Sequence, residues 1–524
     1  MAAEPELRRS RRVATVGLLV LVLAALILLR YAGIMISGAP RTPLASTPDM
    51  ERCPILDRRG RILAIQTRLD TVTAWKPEIE NIEQTAALLA DILDRDAVEL
   101  AGRLVASDGF LIVERTITPS QSDRIRAERA AGNLSGIRLE ADTGRSYPER
   151  EAAAPVIGFT GVDNVGLTGI EYMFSGELLP AADDGTQVGQ ALAMGNQVFL
   201  TLDLAIQSMA DGLGRRLIDE HQADAVMVIV GDVATGQLLA VSSIPSFDPN
   251  HFREYSEEER RNDFVSRIYE PGSVFKVFSV ASFLELGGID DATVFNTSGG
   301  YASSPGAAAI TDLADYGRVN PEEIIKFSSN VGAAYASETV DPGSFYTLLT
   351  RFGFGRRTGI DLNGEEQGLL AAPERWSGRS SATIAIGQEI GVTAAQIFAA
   401  ATALANDGVL LRPQIVDRIV SPTGEVVRRF TREPVREVLS PEVAERILRY
   451  MAAATGADGT ARRINVEGVA VAAKTGTAEV FDPELGSYST DHFIASTLAL
   501  LPADRPQLGV YVMIDNPQGD EFYG

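Results

Sequence analysis

The stretch Glu270-Pro271-Gly272-Ser273-Val274-Phe275-Lys276-Val277-Phe278 joins a chain break to a helix start and sets two polar side chains in an apolar run. Pro271 and Gly272 interrupt the preceding segment, and Val274 to Leu284 has the apolar spacing of a helix, so Ser273 falls at the helix N-terminus. Ser273 and Lys276, three residues apart, then share one face. A serine hydroxyl is a poor nucleophile until a base takes its proton. A lysine set among Val274, Phe275, Val277 and Phe278 is desolvated enough to serve as that base. Free backbone N–H groups at the helix start also point toward a developing oxyanion. Taken alone, Ser-x-x-Lys is a weak signal, because a surface serine followed by a solvated lysine is the commoner arrangement.

Two further clusters follow. Ser328-Ser329-Asn330 comes after a helical segment, Pro321 to Phe327, and offers a hydroxyl and an amide two residues apart, which in isolation is the chemistry of a cap or turn. Lys474-Thr475-Gly476-Thr477 lies in a strand pattern, Val469 to Val480, where small residues let a substrate backbone add as a further strand beside the Lys474 charge. Lysine is rare here: of 47 basic residues only Lys76, Lys276, Lys326 and Lys474 are lysine. Arginine stays protonated at any accessible pH, whereas lysine can be pushed to neutrality, so a residual lysine marks a place where a proton can move. Two of the four fall in these clusters, and Lys326 reads as solvated.

The 524 residues suffice for about three or four domains, each with its own core. A net charge of -23 repels phosphate backbones and excludes nucleic-acid binding. Cys53 is the single cysteine, so there is no internal disulfide framework, and His221, His251 and His492 are too dispersed for zinc-ligand spacing. No metal or cofactor is expected.

Val13 to Leu29 is an apolar run behind Arg8, Arg9, Arg11 and Arg12, which predicts a cytoplasmic tail over 1–12 and a single membrane helix over 13–36, the remainder lying outside the membrane. A cleavage site at Ser37-Gly38-Ala39 is the alternative reading. After a Pro/Ser/Thr-rich connector, two short strands are expected around the Asp57-to-Gly60 turn, then helices over Thr85–Leu93, Ala97–Val105 and Pro119–Ala131 with a strand over Leu111–Ile117 between them. Ala181 to Asn196 reads as a linker. Asp203 caps a helix to about Glu220, and Ala225–Val233 and Gln237–Ser243 flank a Thr235-Gly236 turn. Helices dominate from Ser273 to about Leu404, and strand patterns return at Gly468–Phe481, Phe493–Leu501 and Gln507–Ile514. Early and late strands with helices between them predict an α+β domain with one antiparallel sheet covered by helices.

Ser-x-x-Lys, Ser-x-Asn and Lys-Thr-Gly in this order form the set used by β-lactamases and penicillin-binding proteins. The chain resembles a class B penicillin-binding protein, a membrane-anchored peptidoglycan D,D-transpeptidase, over nearly its whole length. Arg145-Ser146-Tyr147-Pro148 and Gly158 to Glu171 are similar to the family's pedestal, and Phe247-Asp248-Pro249-Asn250, Gly353-Phe354-Gly355 and Gly387-Gln388 to its catalytic framework. The resemblance implies an elongated, non-catalytic pedestal of dimerisation type over 37–197 and a penicillin-binding transpeptidase domain over 198–524. It implies Ser273 as nucleophile, Lys276 as base, Ser328 and Lys474 as proton relay, Asn330 as holder of the substrate amide, and the N–H groups of Ser273 and Thr477 as oxyanion hole. Thr475, Gly476 and Thr477 would bind the substrate, the two threonines receiving its carboxylate. Expected partners are stem peptides, β-lactams, a multispanning glycan polymerase and other division membrane proteins, in a bacterial inner membrane and with a septal role, an elongation-type transpeptidase of the side wall being the alternative. A β-lactamase or sensor, and a catalytically silent scaffold, are the rivals. Two departures stand out: Thr497 to Pro502 replaces a Phe-x-Gly pattern, and the chain stops at Gly524, where the family runs on into a helix that covers the sheet, so this domain is expected to lack its C-terminal end.

Overall fold

Alternation of apolar side chains on both faces of Ala225–Asp232 makes it an interior strand of an antiparallel sheet. Met227 and Ile229 face the main core, while Val226 and Val228 face a helix, Leu204–His221. The sheet has five strands in the order Ala472–Asp482, Ser487–Leu501, Leu508–Asp515, Ala225–Asp232, Gln237–Ile244. Two early and three late strands are thus brought side by side, as the sequence pattern implies, and Ala472–Asp482 is an edge. The helix Leu204–His221 begins at Asp203, whose side chain accepts the Ala205 N–H at 3.0 Å.

The computed structural model describes residues 51–161, 164–179, 194–304, 309–482 and 487–518. The expected tail and anchor over 1–36, most of the linker and the end of the chain lie outside them. No helix among the described residues is long and apolar enough to cross a membrane.

The helix Lys276–Glu285 is buried from Lys276 through Leu284 and is mostly apolar all round, its buried serines Ser279 and Ser282 donating to the Phe275 and Phe278 carbonyls of their own helix segment. Phe275 packs edge-on against Phe354, and Phe278 against both Phe352 and Phe354, with ring centroids 4.8 to 5.4 Å apart in the three pairs. Each such ring contributes roughly 1.5–3 kcal/mol by burial.

Toward the N-terminus a 14-residue strand, Ile62–Trp75, pairs with Phe110–Ile117 on one side and Ile137–Ser146 on the other. The helices Ile82–Leu93 and Ala97–Ala106, capped by Asn81 and Asp96, cover it around Leu89 and Leu100. The expected short strand after Gly60 is therefore much longer. A second difference is larger: Gln197–Leu200 pairs in parallel with Ile55–Leu56 and antiparallel with Val416–Val420, so a sheet begun near residue 55 is completed some 360 residues later. No local pattern announces that pairing. The same region buries a charged triad, in which Glu171 meets Arg52 at 2.6 Å and Arg145 at 2.7 Å with all three side chains at most 1% exposed.

Candidate active site

Ser273 lies in a single 3-10 turn, Gly272–Phe275, that leads into the helix Lys276–Glu285, a tighter start than an α-helical turn. Gly272 has φ +54, and a Cβ there would stand 2.7 Å from the Thr477 carbonyl oxygen, so only glycine lets the turn rest on the sheet edge.

One turn on, Lys276 Nζ is 2.8 Å from Ser273 Oγ. The same nitrogen is 2.7 Å from the Ser328 carbonyl oxygen, 3.2 Å from Ser328 Oγ and 2.6 Å from Asn330 Oδ1. Its side chain is fully buried, and burial lowers its pKa to about 7, opposed by the Asp312 carboxylate. Lys474 Nζ reaches Ser328 Oγ at 2.9 Å and the Thr475 carbonyl oxygen at 2.6 Å. It too is fully buried, and its pKa is driven well down by desolvation and by the neighbouring Lys276. Two ammonium groups sharing one hydroxyl in a dry site cannot both hold their protons, so the cluster carries a neutral amine.

Ser328 sits at φ +62, between the helices Pro321–Lys326 and Asn330–Ser337. A left-handed conformation costs a residue with a Cβ about 1–3 kcal/mol and marks a place where the fold dictates the backbone. Here it carries the Ser328 hydroxyl between the two lysines. The following helix is capped by Ser329, which accepts the Gly332 N–H at 2.9 Å.

Asp312 enters the site without a signal in the sequence. Its Oδ1 accepts the N–H groups of Asn330 (2.5 Å) and Val331 (3.0 Å), and its Oδ2 accepts the Ser329 hydroxyl (2.7 Å). It belongs to no motif, and only folding brings it to the Ser328–Asn330 loop.

Gly476 has a packing role that its own strand does not announce. A Cβ at Gly476 would meet the Val274 nitrogen, Val274 Cγ2 and Ser496 Oγ, each at 2.9 Å, so the missing side chain admits the Ser273 turn. Thr475 and Thr477 alternate with Lys474 and Gly476 along the edge strand and are half-buried. Of the other lysines, Lys326 pairs with Asp458 at 2.7 Å, and Lys76 donates to the Val105 and Ser107 carbonyls. Both lie outside the cluster. Asp224, His492 and Asp515 also converge, but Asp515 is already engaged by Arg267 and by His492 Nε2.

The sheet, the central buried helix and three converging motifs define a serine-dependent penicillin-binding fold, and comparison with known proteins gives the family. Residues 226–524 match the penicillin-binding protein transpeptidase domain and residues 48–191 the penicillin-binding protein dimerisation domain, so the chain belongs to the penicillin-binding protein transpeptidase family. It is 30% identical to a probable peptidoglycan D,D-transpeptidase PenA of Neisseria meningitidis, over 93% of this chain and 84% of the relative. It is 27% identical to the peptidoglycan D,D-transpeptidase FtsI of Escherichia coli, over 90% and 80% respectively. A crystal structure of penicillin-binding protein 3 from Mycobacterium tuberculosis, complexed with aztreonam, superposes with a TM-score of 0.70 at 26% identity, covering 89% of this chain and 90% of that one.

Proposed function

We propose that this chain is a peptidoglycan D,D-transpeptidase whose acyl carrier is Ser273. The observation that supports it best is a fully buried lysine nitrogen, Lys276 Nζ, 2.8 Å from the Ser273 hydroxyl. Neutral Lys276 takes the Ser273 proton as Oγ bonds to the carbonyl carbon of the penultimate D-Ala of a stem peptide. The N–H groups of Ser273 and Thr477 hold the resulting oxyanion. The C–N bond to the terminal D-Ala breaks, and its nitrogen gains a proton through Ser328, which Lys474 supports. An amine of a second stem peptide then attacks the ester, loses a proton and forms the new amide, releasing Ser273. A substrate laid along the exposed edge of Ala472–Asp482 meets Lys474 from one side and Thr475 and Thr477 from the other, with Asn330 available to its amide. The β-lactam ring imitates the same carboxylate-bearing dipeptide and acylates the same oxygen.

In this reading residues 1–12 are a cytoplasmic tail, 13–36 a membrane anchor, 37–197 a pedestal and 198–524 the transpeptidase domain facing outward from a bacterial inner membrane. The pedestal region lacks the acidic spacing of a glycan polymerase, so strands come from a multispanning partner. The short interval between Ser273 and Ser328 and the pedestal without a long insertion favour septal over side-wall synthesis. Fluorescent penicillin should label the wild-type chain and leave Ser273→Ala unlabelled while its fold persists. Equal labelling of the two proteins would remove Ser273 from its role.

A further inference from the structure

The geometry points to Asp312 as a positioning residue for acyl transfer: from outside the three motifs its two oxygens pin the loop Ser329–Val331, and with it the Asn330 and Ser328 oxygens that meet Lys276 Nζ. This rests on the reading of Ser273 and Lys276 as nucleophile and base. One carboxylate accepts three hydrogen bonds from three consecutive residues and so constrains that loop. In it, Asn330 Oδ1 and the Ser328 carbonyl stand 2.6 and 2.7 Å from Lys276 Nζ. The two N–H groups that Asp312 accepts open the helix Asn330–Ser337, where a carboxylate also complements the helix dipole.

The charge has a second consequence. Lys276 Nζ faces the Ser273 hydroxyl from its own turn, the Ser328 and Asn330 oxygens from the motif loop, and Lys474 across Ser328 from the sheet edge. None of these favours an ammonium as an anion does, and Lys474 opposes one. Burial alone would leave Lys276 a still weaker base, and Asp312 holds its proton affinity near neutrality, where a general base works best.

The test measures the second-order rate of penicillin acylation from pH 5 to 10 for the full chain and for Asp312→Asn and Asp312→Ala. Asparagine keeps the size and one acceptor oxygen but drops the charge. Its acidic limb, which reports deprotonation of Lys276, is expected to move to lower pH by about half a unit or more, with a lower plateau. Alanine also frees the loop, and acylation should fall at least tenfold at every pH. An asparagine variant whose acidic limb coincides with that of the wild type overturns the proposal whatever its plateau, because a purely structural anchor leaves the limb in place. An alanine variant that acylates at the wild-type rate overturns it as well. A wild-type chain that penicillin does not acylate overturns the reading of Ser273 and this proposal together.

Discussion

An arginine at position 276 would keep its proton at any accessible pH, and its planar head would have to replace a nitrogen that meets Ser273, Ser328 and Asn330 at once. Lys276→Arg should therefore lower penicillin acylation by about a hundredfold or more, measured as a second-order rate constant. Near-normal acylation of that variant would show that another group takes the proton. Glu270, three residues before Ser273, offers a different titration. Burial raises its carboxyl to about 7, although it accepts the Glu389 N–H at 2.9 Å and the Tyr488 hydroxyl at 3.2 Å. An acid with a raised folded pKa loses stability for the fold as pH rises from its unfolded value, about 4.5, to about 7, because only the unfolded chain ionises easily in that window. Glu270→Gln should remove that dependence, so that the wild type loses on the order of 1–2 kcal/mol more than the variant between pH 4.5 and 7, the partial exposure of the group limiting the effect. Identical pH profiles of denaturant stability for the two proteins would count against a buried, hard-to-ionise Glu270.

At the scale of elements, the site depends on how closely a 3-10 turn approaches a strand edge. Gly476→Ala would place a methyl 2.9 Å from the Val274 backbone nitrogen, an atom that cannot shift without carrying Ser273 with it. Overpacking of this kind costs about 1–3 kcal/mol, and here it also displaces Ser273 from Lys276. The expected outcome is a lowered melting temperature together with at least a tenfold loss of acylation, and a variant that melts lower yet acylates normally would mean that the turn tolerates the shift. The sequence pattern located both elements and gave Gly476 a substrate-facing purpose. The strand's own residues could not reveal which neighbour lies against that glycine, because the neighbour is some 200 residues away in the chain.

For the whole molecule, the charged triad of Arg52, Arg145 and Glu171 ties segments more than a hundred residues apart into one buried knot, and the Arg145 guanidinium also donates to the Arg52 carbonyl. Glu171→Gln would leave two guanidinium charges buried without their carboxylate, a loss of about 3–5 kcal/mol. A fall of several degrees in melting temperature is expected by calorimetry, and an unchanged midpoint would mean that the charges are compensated elsewhere. Taken by itself, the sequence located the five strands of the catalytic sheet, the helix Leu204–His221 with its cap at Asp203 and the Ser273 and Lys474 segments, because periodicity, capping chemistry and a shortage of lysine are local or compositional properties, while the helix Pro441–Ala454 and the strand Val416–Val420 went unread. Tertiary structure alone decided the rest. Lys474 and Ser328 are 146 residues apart in sequence and 2.9 Å apart in the fold. Asp312 joins the same cluster from outside every motif, and Gln197–Leu200 joins Ile55–Leu56 to Val416–Val420 in one sheet. These outcomes depend on which surfaces exclude water from one another. That exclusion, a property of long-range packing, turns two of four lysines from solvated cations into groups that can exchange a proton.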